Sequence, residues 1–252
     1  MADVFWSLPP VTRTIAALAV TVSAAGYAGL LNLYHVVFIP QLIFTTKVIP
    51  QLWRPFTAFF ITKPKFGILL DPFWLYQYGS GLERESARFS QPGDFFVYTM
   101  FVGSVIVGLS GMLLNQPVFL QALSLAYAYT YAQDNPTRQV NFFIVNFDAK
   151  YLPFAMLFLT FVMESPEAAM AQATGLIAAH LYDFLTRIWP TFGGGSNYIR
   201  TPEGVKRWFA PRGGEAQPRG FGTAFQPRAP DTASARTTGR STFTGPGRRL
   251  GD

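Results

Sequence analysis

Residues 95–133 read FFVYTMFVGSVIVGLSGMLLNQPVFLQALSLAYAYTYAQ, and this stretch decides the fold. Its 20 residues before Asn115-Gln116-Pro117 and its 16 residues after carry no charge. At about 1.5 Å per residue, a helix of about 20 residues crosses the hydrocarbon core of a bilayer, which is about 30 Å thick. A proline in a short polar break is typical of a tight turn. The stretch therefore predicts two antiparallel membrane-spanning helices.

Four further segments extend this pattern along the chain. Residues 14–33 are free of charge, and they are too long for the apolar core of a signal peptide, so we expect a retained helix. Three segments are shorter or interrupted, which is also typical of buried helices in soluble proteins, but they lie among clear spans. The sequence thus predicts an all-α membrane protein with six transmembrane helices, at residues 14–33, 66–82, 95–114, 118–133, 151–163 and 168–182.

The composition excludes several classes of function. Half of the residues are hydrophobic and 13% are charged, against about 25% charged in an average soluble domain. The absence of cysteine excludes disulfides, thiolate metal sites and cysteine nucleophiles. With two histidines, a structural zinc site is not expected, and no nucleotide-binding G-x-x-x-x-G-K-[ST] loop occurs. We expect no cofactor and no metal.

The net charge of +6 is concentrated near the C-terminus, where residues 187–252 hold 11 Lys/Arg and 4 Asp/Glu. Basic segments beside membrane spans favour the cytosolic side and contact with anionic lipids. Since no RNA-binding motif is present, we expect no nucleic acid partner. Six spans then place both termini in the cytosol. The first loop, residues 34–65, breaks this charge pattern because four cations fall on the predicted lumenal side, namely Lys47, Arg54, Lys63 and Lys65.

The chain divides into two predicted regions, a transmembrane domain at 1–189 and a flexible basic cytosolic tail at 190–252. The tail holds 12 Gly and 7 Pro in 63 residues, a composition typical of disorder. One helix is expected within it, capped by Thr201, with Pro202 in its first turn. Its apolar stripe of Val205, Trp208 and Phe209 predicts a helix lying on the membrane surface.

Two short motifs have a physical interpretation of their own. Gly175 and Ala179 are four residues apart on one helix face, so a neighbouring backbone can approach closely. The apolar first loop, in which Trp53 is followed by Arg54, is expected to lie in the membrane interface or to dip partly into the membrane beside other helices. From the residues alone, an interfacial Trp beside a cation that reaches towards lipid headgroups is the favoured explanation of this pair.

These motifs, in their order and spacing, resemble the derlin family of the rhomboid superfamily. The resemblance covers residues 5–190 and the extreme C-terminus, and it implies a rhomboid-like bundle in the endoplasmic reticulum membrane. One departure is Ala179, where derlins and rhomboids usually have glycine. Under this resemblance Trp53-Arg54 anchors the first loop. The matching segments are residues 53–57, 82–83, 135–136, 141–143, 151–153 and 175–182.

The resemblance also raises the question of proteolysis, since active rhomboids use a Ser on the fourth span and a His on the sixth. Here Ser124 lacks both flanking glycines, and Gln172 occupies the position of the base. An amide cannot accept the serine proton, so we expect no catalytic residues and an inactive pseudoprotease. His180 lies about two helical turns further on. A protease with a displaced base and a self-sufficient carrier or channel are the alternatives.

The tail ends with a segment that fits the pattern F-x-G-x-G-x-x-L-G. It resembles the SHP box through which derlins bind the valosin-containing-protein AAA ATPase. Glycines let an extended backbone run along a partner, apolar anchors fill its pockets, and arginines steer towards an acidic surface. A chance match in a Gly/Arg-rich tail is the alternative. The predicted binding residues are Phe243, Gly245, Gly247, Arg248, Arg249, Leu250 and Gly251.

The resemblance implies a component of endoplasmic-reticulum-associated degradation that assists retrotranslocation of misfolded proteins and is linked to the unfolded protein response. Its implied partners are the AAA ATPase, a membrane complex of a ubiquitin ligase, misfolded substrates and the lipid bilayer, in a homo- or hetero-oligomer. Short spans, with Ser124 and Gln172 facing the bundle interior, are expected to perturb the membrane. The first loop and the face between the second and fifth spans are expected to receive substrate.

Overall fold

The chain is described here by a computed structural model, which covers residues 6–43, 50–64, 66–143, 145–193 and 199–210. These residues are mainly helical. The α-helices are α1 Pro10–Tyr27, α2 Pro40–Ile43, α3 Arg54–Thr57, α4 Gly67–Glu85, α5 Asp94–Ile106, α6 Leu120–Asp134, α7 Leu152–Met163, α8 Pro166–Asp183, α9 Trp189–Phe192 and α10 Glu203–Phe209. Helices α5 and α8 continue as π-helical segments, Val107–Leu113 and Phe184–Ile188, and 3₁₀ turns occur at Leu33–His35, Ala58–Phe60 and Ala149–Tyr151.

Each of the six predicted segments overlaps one of the long helices, α1, α4, α5, α6, α7 or α8. Among the described residues, Asp94–Leu113 is the one helix long and apolar enough to cross a membrane, and Ala149–Met163 is a shorter apolar helix. The helices themselves are therefore confirmed, while the membrane crossing of all six stays a prediction.

The first helix lies earlier in the chain than predicted. It begins at Pro10, in the first turn where proline is favourable, and ends at Tyr27. Gly29 has a φ of 75°, and this left-handed backbone conformation cannot continue an α-helix. The predicted range 14–33 is thus wrong by several residues at both ends. At the predicted turn after α5, Asn115 adopts a φ of 51°, a left-handed conformation that asparagine tolerates.

The expectation of an all-α protein is wrong in one place, the connection between α6 and α7. Strands β1 Gln139–Phe142 and β2 Val145–Asp148 form an antiparallel hairpin in which Gln139 pairs with Asp148. Exposed and half-buried residues alternate along β1, as in a strand with one packed face. The ring of Phe142 stacks on Trp74 of α4 at 4.8 Å between centroids, which fixes the hairpin against the bundle.

Helix α6 lies at the centre of the bundle, and most of its side chains are buried. It packs mainly against α4 and α8. The buried hydroxyls around it are paired: Tyr98 bonds to Thr130 at 2.7 Å, and Tyr127 bonds to Thr99 at 2.8 Å. These bonds satisfy polar groups that would otherwise be costly to bury.

The connections between the long helices lie at two opposite ends of the bundle. At one end, the first-loop end, the Phe38 amide donates to the Pro117 carbonyl at 2.9 Å, and Lys63 pairs with Glu164 at 2.5 Å. At the opposite end, Glu83 of α4 accepts hydrogen bonds from the amides of Val11 and Thr12, in the first turn of α1. Successive long helices therefore run antiparallel, as six spans require.

Candidate functional site

A cavity of about 90 Å³ lies between α4, α6, α7 and α8 at the first-loop end. Helices α4 and α7, at the second and fifth predicted spans, form two of its walls. Its apolar lining includes Leu70, Trp74, Met156 and Leu159. Several polar side chains also line this otherwise apolar cavity, and this combination makes it the strongest candidate for a binding site. The polar lining residues are Asp71, Gln121, Ser124, Thr160, Glu164 and Gln172.

The two residues at the positions of the rhomboid dyad both line this cavity. Ser124 is 2% exposed, and its hydroxyl donates to the Leu120 carbonyl at 3.0 Å and the Asp71 carbonyl at 3.3 Å. Gln172 is 4% exposed, and within the described part of the chain its Oε1 has no hydrogen-bond partner. The hydroxyl therefore points to backbone acceptors, and the facing side chain is an amide that cannot act as a base.

Neither histidine is placed to replace that base. His180 is exposed on α8, and its Nδ1 lies 3.0 Å from the Tyr129 hydroxyl. His35 is exposed in the 3₁₀ turn of the first loop, where its ring contacts Tyr34. Since Ser124 is buried inside the bundle, these contacts give it no activating partner.

Four polar cavity residues were not predicted as site residues, namely Asp71, Gln121, Thr160 and Glu164. Asp71, on α4, is 6% exposed, and its Oδ2 accepts a long hydrogen bond of 3.4 Å from the Lys63 amide. Glu164 accepts from Gln121 Nε2 at 2.5 Å, besides its ion pair with Lys63. Charged residues at the ends of apolar segments are the sequence signal that points to them, since six antiparallel spans bring those ends together.

Arg54 is fully buried, so the interpretation in which it reaches lipid headgroups is wrong. Its Nη1 donates to the carbonyls of Tyr34 at 2.6 Å and Val37 at 2.7 Å, and its Nε donates to Gln51 Oε1. Trp53 is half exposed, and its indole donates to the His35 carbonyl at 3.2 Å. A buried guanidinium needs such partners. The pair ties the two halves of the first loop together.

Gly175 permits the close packing of α8 on α6. A Cβ at this position would lie 1.8 Å from the Ala122 carbonyl oxygen, a distance that no side chain tolerates. Ala179, on the same face, is 1% exposed and is accommodated as alanine. The contact joins the two helices that carry Ser124 and Gln172, and both residues line the cavity.

Comparisons of the sequence with known proteins identify its family. The model of the DER1, or Der1-like, family matches residues 8–203. The chain belongs to the Der1-like family. The chain is 31% identical to Derlin-1 of Homo sapiens, over 100% of this chain and 98% of that protein. Derlin-1 of Arabidopsis thaliana is 32% identical over 80% of this chain and 74% of its own length, and Derlin-1 of Drosophila melanogaster is 29% identical over 71% and 73%.

Membership of the Der1-like family gives the chain a derlin-type role in endoplasmic-reticulum-associated degradation, as a protein of the endoplasmic reticulum membrane. It is also consistent with a protein that is not an enzyme.

Largely buried ion pairs lie at the opposite end of this Der1-like bundle. Arg88 pairs with Asp134 and, at 2.8 Å, with Asp183. Asp183 and Arg187 are four residues apart, a spacing that predicts an ion pair on the helix surface. The pair is present at 3.2 Å, but the predicted place on the surface is wrong, since Asp183 is 5% exposed. Arg88 lies in the loop before α5, far from Asp183 in the chain, and its ion pair with Asp183 explains why Asp183 is buried.

The helix predicted in the tail is present as α10, although Thr201 does not cap it. Pro202 occupies the N-cap, and the Thr201 hydroxyl donates to Asp94 Oδ1 at 2.5 Å. Phe209 packs on Phe96 of α5, while Trp208 is 72% exposed. The SHP-like residues 243–251 lie outside the described residues, and the predicted boundary at residue 190 stays a prediction.

Proposed function

We propose that this chain is a non-proteolytic derlin that moves misfolded polypeptides from the endoplasmic reticulum towards the cytosol. The observation that supports this most directly is the cavity between α4 and α7. It is lined by a serine bonded to backbone carbonyls and by a glutamine whose amide oxygen has no described partner, where a protease needs a serine and a base. The chemistry of the cavity suits contact with polar groups of a substrate, without bond cleavage.

The proposed topology has six spans with both termini in the cytosol. The cations that opposed it in the first loop are partly compensated: Arg54 is buried among carbonyls, and Lys63 pairs with Glu164. At the opposite end, by contrast, Arg138 and Lys150 are half exposed. Exposed cations at that end favour the cytosolic side.

Short helices support a local effect on the bilayer. Helix α7 has 12 residues, which corresponds to about 18 Å, well below the thickness of about 30 Å for a hydrocarbon core. A span shorter than the bilayer is accommodated by thinning the lipid around it. We propose that thin lipid beside the cavity lowers the barrier for polar polypeptide.

The energy for transport has to come from a partner, since the sequence holds no P-loop. We propose that residues 243–251 recruit the valosin-containing-protein AAA ATPase from the cytosol. A membrane ubiquitin ligase and further copies of derlin-type chains complete the proposed assembly. The part of the tail that follows α10 is then the tether between membrane and ATPase.

The turnover of a misfolded membrane reporter tests this function. In cells that lack their own derlins, the chain is expected to restore rapid, proteasome-dependent loss of the reporter, measured after synthesis is stopped. A chain truncated after Thr242 is expected to insert equally well and to restore no turnover. Equal reporter lifetimes with and without the full chain would rule out the proposal.

A further inference from the structure

The polar lining of the cavity includes two carboxylates and an amide oxygen that lacks a hydrogen-bond donor. Asp71 and Glu164 contribute the carboxylates, and Gln172 contributes the amide oxygen. Lys63 forms an ion pair with Glu164 and so offsets the negative charge of that carboxylate. The cavity therefore has two carboxylates and one described cation beside it, an arrangement that favours a cationic ligand.

The side chain of Gln172 independently indicates a ligand that donates a hydrogen bond. Its side chain is 4% exposed, it lines the cavity, and its Oε1 has no partner within the described part of the chain. Buried acceptors are nearly always paired in proteins, with protein groups, water or ligand. Gln172 and Asp71 both line the cavity, so a hydrogen-bond donor bound there would lie near both side chains.

The size and the surroundings of the cavity restrict the ligand. A helix about 10 Å across does not enter a cavity of about 90 Å³, whereas one polar side-chain end does. Phe66 and Met163 line the cavity and are 66% and 47% exposed, so its edge is apolar. A basic side chain has this shape: an apolar stem that packs on such an edge and a cationic end with several donors.

We propose that the cavity binds the basic side chain, lysine or arginine, of a client's membrane segment. This inference rests on the proposed function and names its substrate class. A charge in a lipid-exposed helix is energetically unfavourable unless it is paired, so an unpaired basic residue distinguishes an unassembled membrane protein. Placed between α4 and α7, the cavity pairs that charge at the level of the bilayer.

The test measures peptide binding to the full-length protein in phosphatidylcholine nanodiscs. Two fluorescent transmembrane peptides are compared, one with lysine near its lumenal end and one with norleucine there, which keeps the four-carbon stem without the ammonium group. We expect the lysine peptide to bind about tenfold more tightly, the scale of one charge-assisted hydrogen bond. Asp71→Asn is expected to reduce this preference to less than threefold, and Gln172→Leu to weaken it severalfold.

The norleucine peptide reports on folding, since its affinity should be the same for every folded variant. Glu85→Gln is the matched control, because this carboxylate is 58% exposed at the opposite end, and it should leave the preference unchanged. Equal binding of both peptides to the unaltered chain overturns the inference, as does a full preference in Asp71→Asn. Loss of the preference on adding phosphatidylethanolamine, whose ammonium donates N–H bonds, also overturns it, since the occupant is then lipid.

Turnover of two reporters separates this inference from the proposed function. The reporters differ only in lysine or leucine at one position of their membrane segment. If the chain degrades both at the same rate and binds both peptides equally, the inference fails and the proposed function stands. If the chain degrades neither reporter, the proposed function fails, whatever the peptides show.

Discussion

Gly175 is expected to be the residue of α8 least tolerant of an added methyl group. A Cβ there would lie 1.8 Å from the carbonyl oxygen of Ala122, whereas ordinary van der Waals contact begins at 3.4 Å. The obstructing atom belongs to the backbone of α6, so no side chain can rotate away. Gly175→Ala therefore forces the two helices apart by about 1.5 Å, which removes dispersion contacts along the whole interface.

Overpacking of this kind typically costs about 1–3 kcal/mol and occasionally more. Since backbone must move, we expect about 3 kcal/mol or more for Gly175→Ala. The matched control is Gly108→Ala, where no atom lies within 4 Å of the added Cβ. That change should stay within about 0.5 kcal/mol of the original protein.

The assay is thermal unfolding in mild detergent, followed by the fraction of monodisperse protein in size-exclusion chromatography. The Gly175→Ala protein should lose monodispersity at a clearly lower temperature, and Gly108→Ala should match the unaltered chain. If the two variants behave alike, the close approach of α6 and α8 is not a determinant of this fold.

Three further changes follow from the same structure. Arg54→Lys should destabilise the protein by about 2 kcal/mol in the same assay, because a lysine cannot donate hydrogen bonds to the two carbonyls and to Gln51 with the geometry of a guanidinium. The control Arg138→Gln, at an exposed pair, should change stability by less than about 1 kcal/mol. Equal effects of the two changes would contradict the proposed role of Arg54 as an anchor of the first loop. Ser124→Ala should leave reporter turnover unchanged, and a loss of turnover with normal expression would favour the protease alternative. Glu83→Gln should destabilise by about 1–2 kcal/mol, since a carboxylate is the better acceptor at a helix N-terminus, and an unchanged unfolding temperature would argue against that role.

The sequence predicted the long helices well because their signal is local. Uncharged runs and breaks such as Asn115-Gln116-Pro117 mark them directly. The error in α1 arose because hydropathy continues through Gly29, whereas the left-handed backbone there ends the helix. The hairpin at residues 139–148 was missed because strands of four residues carry too short an alternation to be distinguished from a loop.

The candidate site was predicted only where a family pattern named its residues. Ser124 and Gln172 were singled out by their correspondence to a protease dyad, and both line the cavity. Asp71 and Glu164 join them through tertiary packing, which no local pattern encodes. Asp183 illustrates the same limit: spacing on the helix predicted Arg187 as its partner, while Arg88, far away in the chain, draws it into the interior.

The most direct test of the central claim is affinity purification in mild detergent, with the bound proteins identified by mass spectrometry. The full chain is compared with the chain truncated after Thr242 and with Leu250→Ala combined with Gly251→Ala. If a derlin couples its membrane cavity to a cytosolic motor, the full chain should co-purify with the valosin-containing-protein AAA ATPase, and the two altered chains should not. All three proteins should insert equally into the membrane. Recovery of the ATPase with all three, or with none, would contradict recruitment by residues 243–251.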